Sequence, residues 1–287
     1  MSSWLTLCER GGSYLAAGND YAKSRLVIVG APMDYTVSYR PGSRSGPAAI
    51  RSASPNLEEY SLYCRKDLRD AFFYDAGDLV LPLGNTDRSL KLIEEAVNGI
   101  LADGKFPLLL GGEHLVSLGA LRACARYYQN LAVIHLDAHA DLRPDYLGEV
   151  NSHASVMYRA QTELGLEIFQ FGIRSATAEE VVFANQYTHF YPYHVLAPLQ
   201  EVWEKLQQRP VYLSLDIDVV DPAFAPGTGT PEPGGITSGE LIAAINLLTK
   251  LQLVGMDLVE VSPAYDPAGI TAMLAAKILR EVILAFA

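Results

Sequence analysis

Cysteine is scarce in this chain, and what there is of it is scattered. The three cysteines among 287 residues, Cys8, Cys64 and Cys124, form no C-x-x-C pair. This excludes a disulfide framework and a thiolate zinc site, and suits a reducing compartment. Long apolar runs are also missing, and none approaches the ~20 residues that a bilayer crossing needs. Positive charge is in deficit: 22 Lys and Arg stand against 33 Asp and Glu, a net charge of −11. Nucleic acid and anionic membrane surfaces are therefore excluded as expected partners. The opening "MSSWLTLCERGG" lacks a basic start followed by an apolar stretch, so no secretory signal is expected and the expected location is cytoplasmic. No Gly/Ser-rich linker, internal repeat or low-complexity segment divides the chain, so residues 1–287 are expected to form one domain.

Short, nearly continuous apolar runs alternate with helical patterns. Strands are expected at 25–30, 71–77, 106–112, 131–137, 167–173, 189–193, 210–216 and 253–261. Continuous apolarity, rather than alternation, marks parallel strands buried on both faces. Helices are expected at 87–103, at 237–250, where Thr237 precedes Glu240 by three residues as in a capping box, and at 268–286. The alternation predicts a doubly wound α/β domain with a mainly parallel, eight-stranded sheet. In such sheets ligands bind beyond the carboxyl ends of the strands. Four runs, "LLLGGEH", "VIHLDAHAD", "LSLDID" and "DLVEV", carry polar groups at that end. The Pro/Gly-rich stretch 222–235 sits inside the alternation and is expected to be a loop at the same site.

The densest cluster is "IHLDAHADLRPD", where His135, Asp137, His139, Asp141 and Asp145 crowd the end of an apolar strand. Residues two apart on a strand share a face, so an extended backbone would align Asp137, His139 and Asp141, and likewise Asp216 and Asp218. With His114 these make four carboxylates and two imidazoles. Such a group needs a counter-charge, and only Arg143 lies near. Oxygen and nitrogen donors without thiolate suit a hard or borderline divalent ion such as manganese. Four negative charges balance two such ions, and a bridging carboxylate, Asp137 or Asp216, would hold them ~3.5–4 Å apart.

"GGEH", "DAHAD" and "SLDIDVVDP", in this order and at these separations, resemble the ureohydrolase family of arginases and agmatinases. The resemblance extends from "GAPMD" (30–34) and "RPGSRSGPAAIR" (40–51) through "GIRS" (172–175) to "MDLVEVSPAYD" (256–266). "SHASVM" and "EVSPAYD" are similar to the agmatinase branch. The resemblance implies an arginase-like three-layer αβα sandwich, two manganese ions per chain, and a homo-oligomer, trimer or hexamer. It implies hydrolysis of a small cationic guanidino substrate, agmatine, to putrescine and urea, as in polyamine biosynthesis. Carried over by motif, one ion takes His114, Asp137, Asp141 and Asp216, and the other takes Asp137, His139, Asp216 and Asp218.

A guanidinium carbon is a poor electrophile, so the reaction needs water whose pKa a metal has lowered, from about 15.7 toward about 7. The departing amine needs a proton, and His153 in "NSHAS" is the candidate shuttle, because imidazole titrates nearest neutrality. Glu260, at the end of the last strand, is the candidate to hold the planar guanidinium, its alternative being a salt bridge to Arg174. Asp221 is expected in a turn or behind the ligands, and His135 as a packed, hydrogen-bonded histidine. Asp145 and Glu149 are expected to attract an amine and repel a carboxylate, whereas Arg143 could serve a carboxylate. The rival readings are arginine, guanidinobutyrate or guanidine as substrate, a phosphatase with Asp216 as nucleophile, and an inactive metal-binding homologue.

Overall fold

The computed structural model describes residues 2–287. The expected strands all form, but the sheet has nine strands rather than eight. They are β1 (Cys8–Glu9), β2 (Leu26–Ala31), β3 (Phe73–Leu79), β4 (Phe106–Gly111), β5 (Ala132–Leu136), β6 (Glu167–Phe171), β7 (His189–Tyr191), β8 (Val211–Asp216) and β9 (Leu253–Val259). Their spatial order is β1-β3-β2-β4-β9-β8-β5-β6-β7. The unexpected member, β1, is a two-residue edge piece pairing antiparallel with β3, too short and too polar to show as an apolar run. Every other pairing in the sheet is parallel.

Successive residues of a strand point to opposite faces, and the packing shows it directly. Leu26, Ile28, Leu108, Leu110, Ile134, Leu213 and Leu215 join one core, together with Ile50, Leu199, Leu241, Ile245 and Leu279. Val27, Val29, Leu109, Val133 and Tyr212 join the other, with Leu90, Ile93, Val116, Leu121 and Met157. The first core is closed by helices Gly46–Ala53, Leu196–Glu201, Ser238–Leu248 and Ile270–Phe286. The second is closed by Thr86–Ala102, Val116–Tyr127, Val156–Thr162 and Ala178–Tyr187. The result is three layers, helices on both faces of one sheet. At the Ser238–Leu248 helix the Thr237 hydroxyl accepts from Glu240 N–H at 3.1 Å, half of the expected capping box. Full capping boxes occur instead at Thr177 with Glu180 and at Ser152 with Ser155.

The strands that carry the polar motifs, β4, β9, β8 and β5, are consecutive neighbours at the centre of the sheet. Their carboxyl ends therefore open on one rim. To one side, Arg51 is buried with its guanidinium forked onto Asp75 at 2.8 and 2.9 Å, tying the Gly46–Ala53 helix to β3. Replacing Arg51 by Met would leave a buried carboxylate without its cation, and denaturant unfolding should show a loss of about 3–5 kcal/mol. A loss below about 1 kcal/mol would mean that the pair does not hold this edge.

Candidate metal centre

Two donor groups meet on the rim. In the first, His114 Nδ1 lies 2.9 Å from Asp137 Oδ2, 3.1 Å from Asp141 Oδ2 and 3.4 Å from Asp216 Oδ2. In the second, His139 Nδ1 lies 3.0 Å from Asp218 Oδ2 and 3.5 Å from Asp137 Oδ1. Asp137 thus offers one oxygen to each group, the arrangement a bridging carboxylate requires. Asp216 gives Oδ2 to the first group, and its Oδ1 accepts from Asp218 N–H at 2.8 Å while keeping a second lone pair. All six residues converge, but not by the extended backbone expected from their spacing. β5 ends at Leu136, and Asp141 turns into the left-handed region at φ 52°. β8 ends at Asp216, and Ile217–Val219 is a 3₁₀ turn. Asp141 is held in its unusual conformation because its carbonyl accepts from Met157 and Tyr158 N–H, both at 3.1 Å. Those are first-turn donors of the Val156–Thr162 helix, which otherwise lack partners.

Outer hydrogen bonds set which lone pairs face the centre. Ser214 donates its single hydroxyl proton to Asp257 Oδ1 at 2.9 Å, so it must accept from His114 Nε2–H, also 2.9 Å away. In a neutral His114, the form that binds a metal, Nδ1 then carries a lone pair facing three carboxylates, and this buried nitrogen has no hydrogen-bond partner. A second relay fixes Asp137. Gln170 Nε2 donates to the Ala140 carbonyl at 2.8 Å, which settles which end of the amide is nitrogen. The same nitrogen donates to His135 Nδ1 at 3.0 Å, and so His135 Nε2–H donates to Asp137 Oδ2 at 2.8 Å. Both nitrogens of His135 are spent, which makes it a support and not a ligand. The sequence carried a weak sign of these supports, a Gln and an Asp inside apolar strands, without showing their partners.

A lone pair among buried carboxylates repels them unless a cation lies between. Burial, then the charges of Asp218 and Asp137, pushes the Asp216 carboxyl well above the ordinary carboxylate range. Burial and Asp137 raise Asp218 as well, and its Oδ2 is buried without a partner. Donor atoms about 3 Å apart match the spacing of neighbouring ligands that each lie about 2.1 Å from one ion. The residues fit divalent ions on chemistry, burial and spacing.

A cavity of about 300 Å³ opens over this centre, and His153 and Glu260 both line it. Glu260 is buried with φ 62°, and its Oε1 accepts from His114 N–H at 2.8 Å. Its alternative partner, Arg174, is engaged elsewhere, donating to the carbonyls of Gly172, Asp218, Val219 and Glu232. His153 begins a 3₁₀ turn capped by Ser152, and burial lowers its pKa. Asp221 is a turn residue whose carboxylate accepts from Ala223, Gly234 and Gly235 N–H, and Thr230 brings the 222–235 loop to the cavity wall. Asp145 and Glu149 are exposed and do not line the cavity themselves, whereas Tyr146, whose backbone pairs with Glu149, does. Arg143 does line it, with its Nε 3.6 Å from Glu180 and its guanidinium over the Tyr146 ring.

Fold and donors together define a three-layer α/β protein that carries a binuclear divalent metal site at the carboxyl edge of its sheet. Residues 24–285 match the Arginase family. The agmatinase of Bacillus subtilis (strain 168) is 49% identical over 280 residues, covering 96% of this chain and 97% of that one. The agmatinase of Bacillus anthracis is 50% identical over 278 residues, covering 96% of each. The crystal structure of the agmatine ureohydrolase of Thermoplasma volcanium superposes with a TM-score of 0.87 at 36% identity, covering 99% of this chain and 97% of that one. The chain belongs to the arginase family.

Metal analysis of protein equilibrated with divalent ions and desalted should find about two ions per chain. Asp137→Asn should cost more bound metal than His139→Ala, since one carboxylate serves both ions. Equal occupancy in Asp137→Asn and wild type would contradict the bridging geometry.

Proposed function

We propose that the protein hydrolyses agmatine to putrescine and urea at two divalent ions, manganese in the cell. The reading is carried by likeness to bacterial agmatinases over nearly the whole chain, in a molecule where five of the six donor residues line one cavity and Asp218 adjoins them. His114, Asp137, Asp141 and Asp216 would hold one ion, and Asp137, His139, Asp216 and Asp218 the other. When bound, the ions supply Lewis acidity, bringing the pKa of water from about 15.7 toward about 7 and neutralising the carboxylates.

The chain's own residues do the rest. Glu260 spends Oε1 on His114 N–H, leaving Oε2 for the N–H edge of a guanidinium. Burial, then the charge of Glu113, pushes its carboxyl up to about 8 in the metal-free protein, and a neighbouring cation favours its charged form. The guanidinium carbon is thereby held beside the metal centre, with the alkyl chain toward the cavity mouth. His153, in the cavity wall, donates the proton on which the amine departs.

A phosphatase using Asp216 fits poorly, because that carboxylate is 3% exposed and already engaged by Asp218 N–H. An inactive homologue fits poorly too, since every candidate ligand, His153 and Glu260 are retained at one site. One observation favours a second substrate: Arg143 at the cavity wall suits a carboxylate, as in 4-guanidinobutyrate. The family resemblance supports a homo-oligomer, trimer or hexamer, and a cytoplasmic place in polyamine biosynthesis. Three free cysteines accord with a reducing compartment.

The test is urea release by the manganese-loaded protein from agmatine, arginine, 4-guanidinobutyrate and guanidine. Agmatine should give the highest kcat/KM, and a tenfold or greater advantage for another compound would overturn the substrate. His153→Ala should lower kcat by about 10²-fold with metal content unchanged. An unchanged kcat would remove His153 from the reaction.

A further inference from the structure

Next to the ligand His114 sits a carboxylate that the reaction as described does not use. Glu113 is fully buried, and its Oε2 accepts from both the backbone N–H and the hydroxyl of Thr36, each at 2.8 Å. Having given its one proton to Glu113, the Thr36 hydroxyl can only accept elsewhere. It accepts from His153 N–H at 3.0 Å and lies 3.4 Å from His153 Nδ1. An oxygen without a spare proton favours Nδ1–H over an Nδ1 lone pair. The other nitrogen, Nε2, lies 3.2 Å from Ser38 Oγ, and Ser38 lines the cavity.

The contact depends on a close backbone approach. A Cβ at Gly112 would lie 1.9 Å from the Met33 carbonyl oxygen, and Glu113 N–H donates to that oxygen at 2.7 Å. Glycine there lets the end of β4 lie against the chain at 33–36, and this brings Thr36 onto Glu113. Three segments far apart in sequence thus meet in one chain of hydrogen bonds, running from beside the metal ligand to the imidazole.

We propose that Glu113 and Thr36 are positioning residues for the reaction. Through the chain Glu113–Thr36–His153 they hold the main chain of His153 and keep Nδ1 protonated, so that Nε2 is the nitrogen that gives its proton to the leaving amine. The proposal rests on the reading of His153 as the proton donor. It assigns no proton transfer to Glu113, whose role is to accept.

The experiment uses the manganese-loaded protein with agmatine, with metal content and melting temperature as controls for folding. Thr36→Val should lower kcat by about tenfold, with KM within about twofold and metal content unchanged. Thr36→Ser should restore kcat, because it restores the hydroxyl. Glu113→Gln should lower kcat less than Thr36→Val does, because the amide oxygen still accepts from the Thr36 hydroxyl. The decisive comparison is Thr36→Val in a His153→Ala background, where it should cost nothing further, since its effect passes through the imidazole. A Thr36→Val kcat equal to wild type, or an undiminished loss in the His153→Ala background, overturns the proposal while leaving His153 as donor. If His153→Ala alone leaves kcat unchanged, the parent reading fails and the proposal falls with it. A kcat loss in Glu113→Gln larger than in Thr36→Val, with metal retained, overturns the assignment of Glu113 as an acceptor alone.

Discussion

The lone pair on His114 Nδ1, aimed at three buried carboxylate oxygens within 3.4 Å, is the constraint on which the rest of this molecule depends. No arrangement of neutral groups relieves it, and no Lys or Arg side chain reaches the cluster among the described residues. A positive charge must lie at the centre: against the lowering by burial, the carboxylates raise His114 and His139 well above the ordinary imidazole range, and two divalent ions in place of those protons balance the four carboxylates. The parallel sheet places this demand where it can be met, at the carboxyl ends of four adjacent central strands.

Around that centre the fold spends its buried polar groups on orientation. Ser214 with Asp257 turns His114, and Gln170 with His135 turns Asp137. Each relay fixes the orientation of a ligand side chain, so the donor atoms are aimed before any ion arrives. Two strained backbones, at Asp141 and Glu260, belong to the same preorganisation. Both are held by neighbours: the first turn of the Val156–Thr162 helix holds Asp141, and the Gly112 carbonyl holds Glu260 through its N–H at 2.9 Å.

Much of this was legible in the residues. Continuous apolar runs marked all the long strands, because parallel strands buried on both faces leave no polar alternation to confuse the pattern. The candidate ligands could be read for the opposite reason: ionisable groups at the end of such runs have few structural explanations. What could not be read was geometry made by distant partners. Asp137, His139 and Asp141 converge through a left-handed turn that Met157 and Tyr158 stabilise, not through continued strand. Asp145 and Glu149 were close enough in sequence to suggest a charged entrance, yet the side chains of that loop that line the cavity are Arg143 and Tyr146. Thr36 carried no signal of its own, because its partners lie 77 and 117 positions away.

The most direct test of the central claim is electron paramagnetic resonance on the manganese-loaded protein. Ions joined by the Asp137 carboxylate at about 3.5–4 Å must couple their spins. The spectrum should be that of an exchange-coupled pair, and Asp137→Asn should abolish it. A spectrum of isolated manganese at full occupancy would contradict the claim that these carboxylates are gathered around two neighbouring ions.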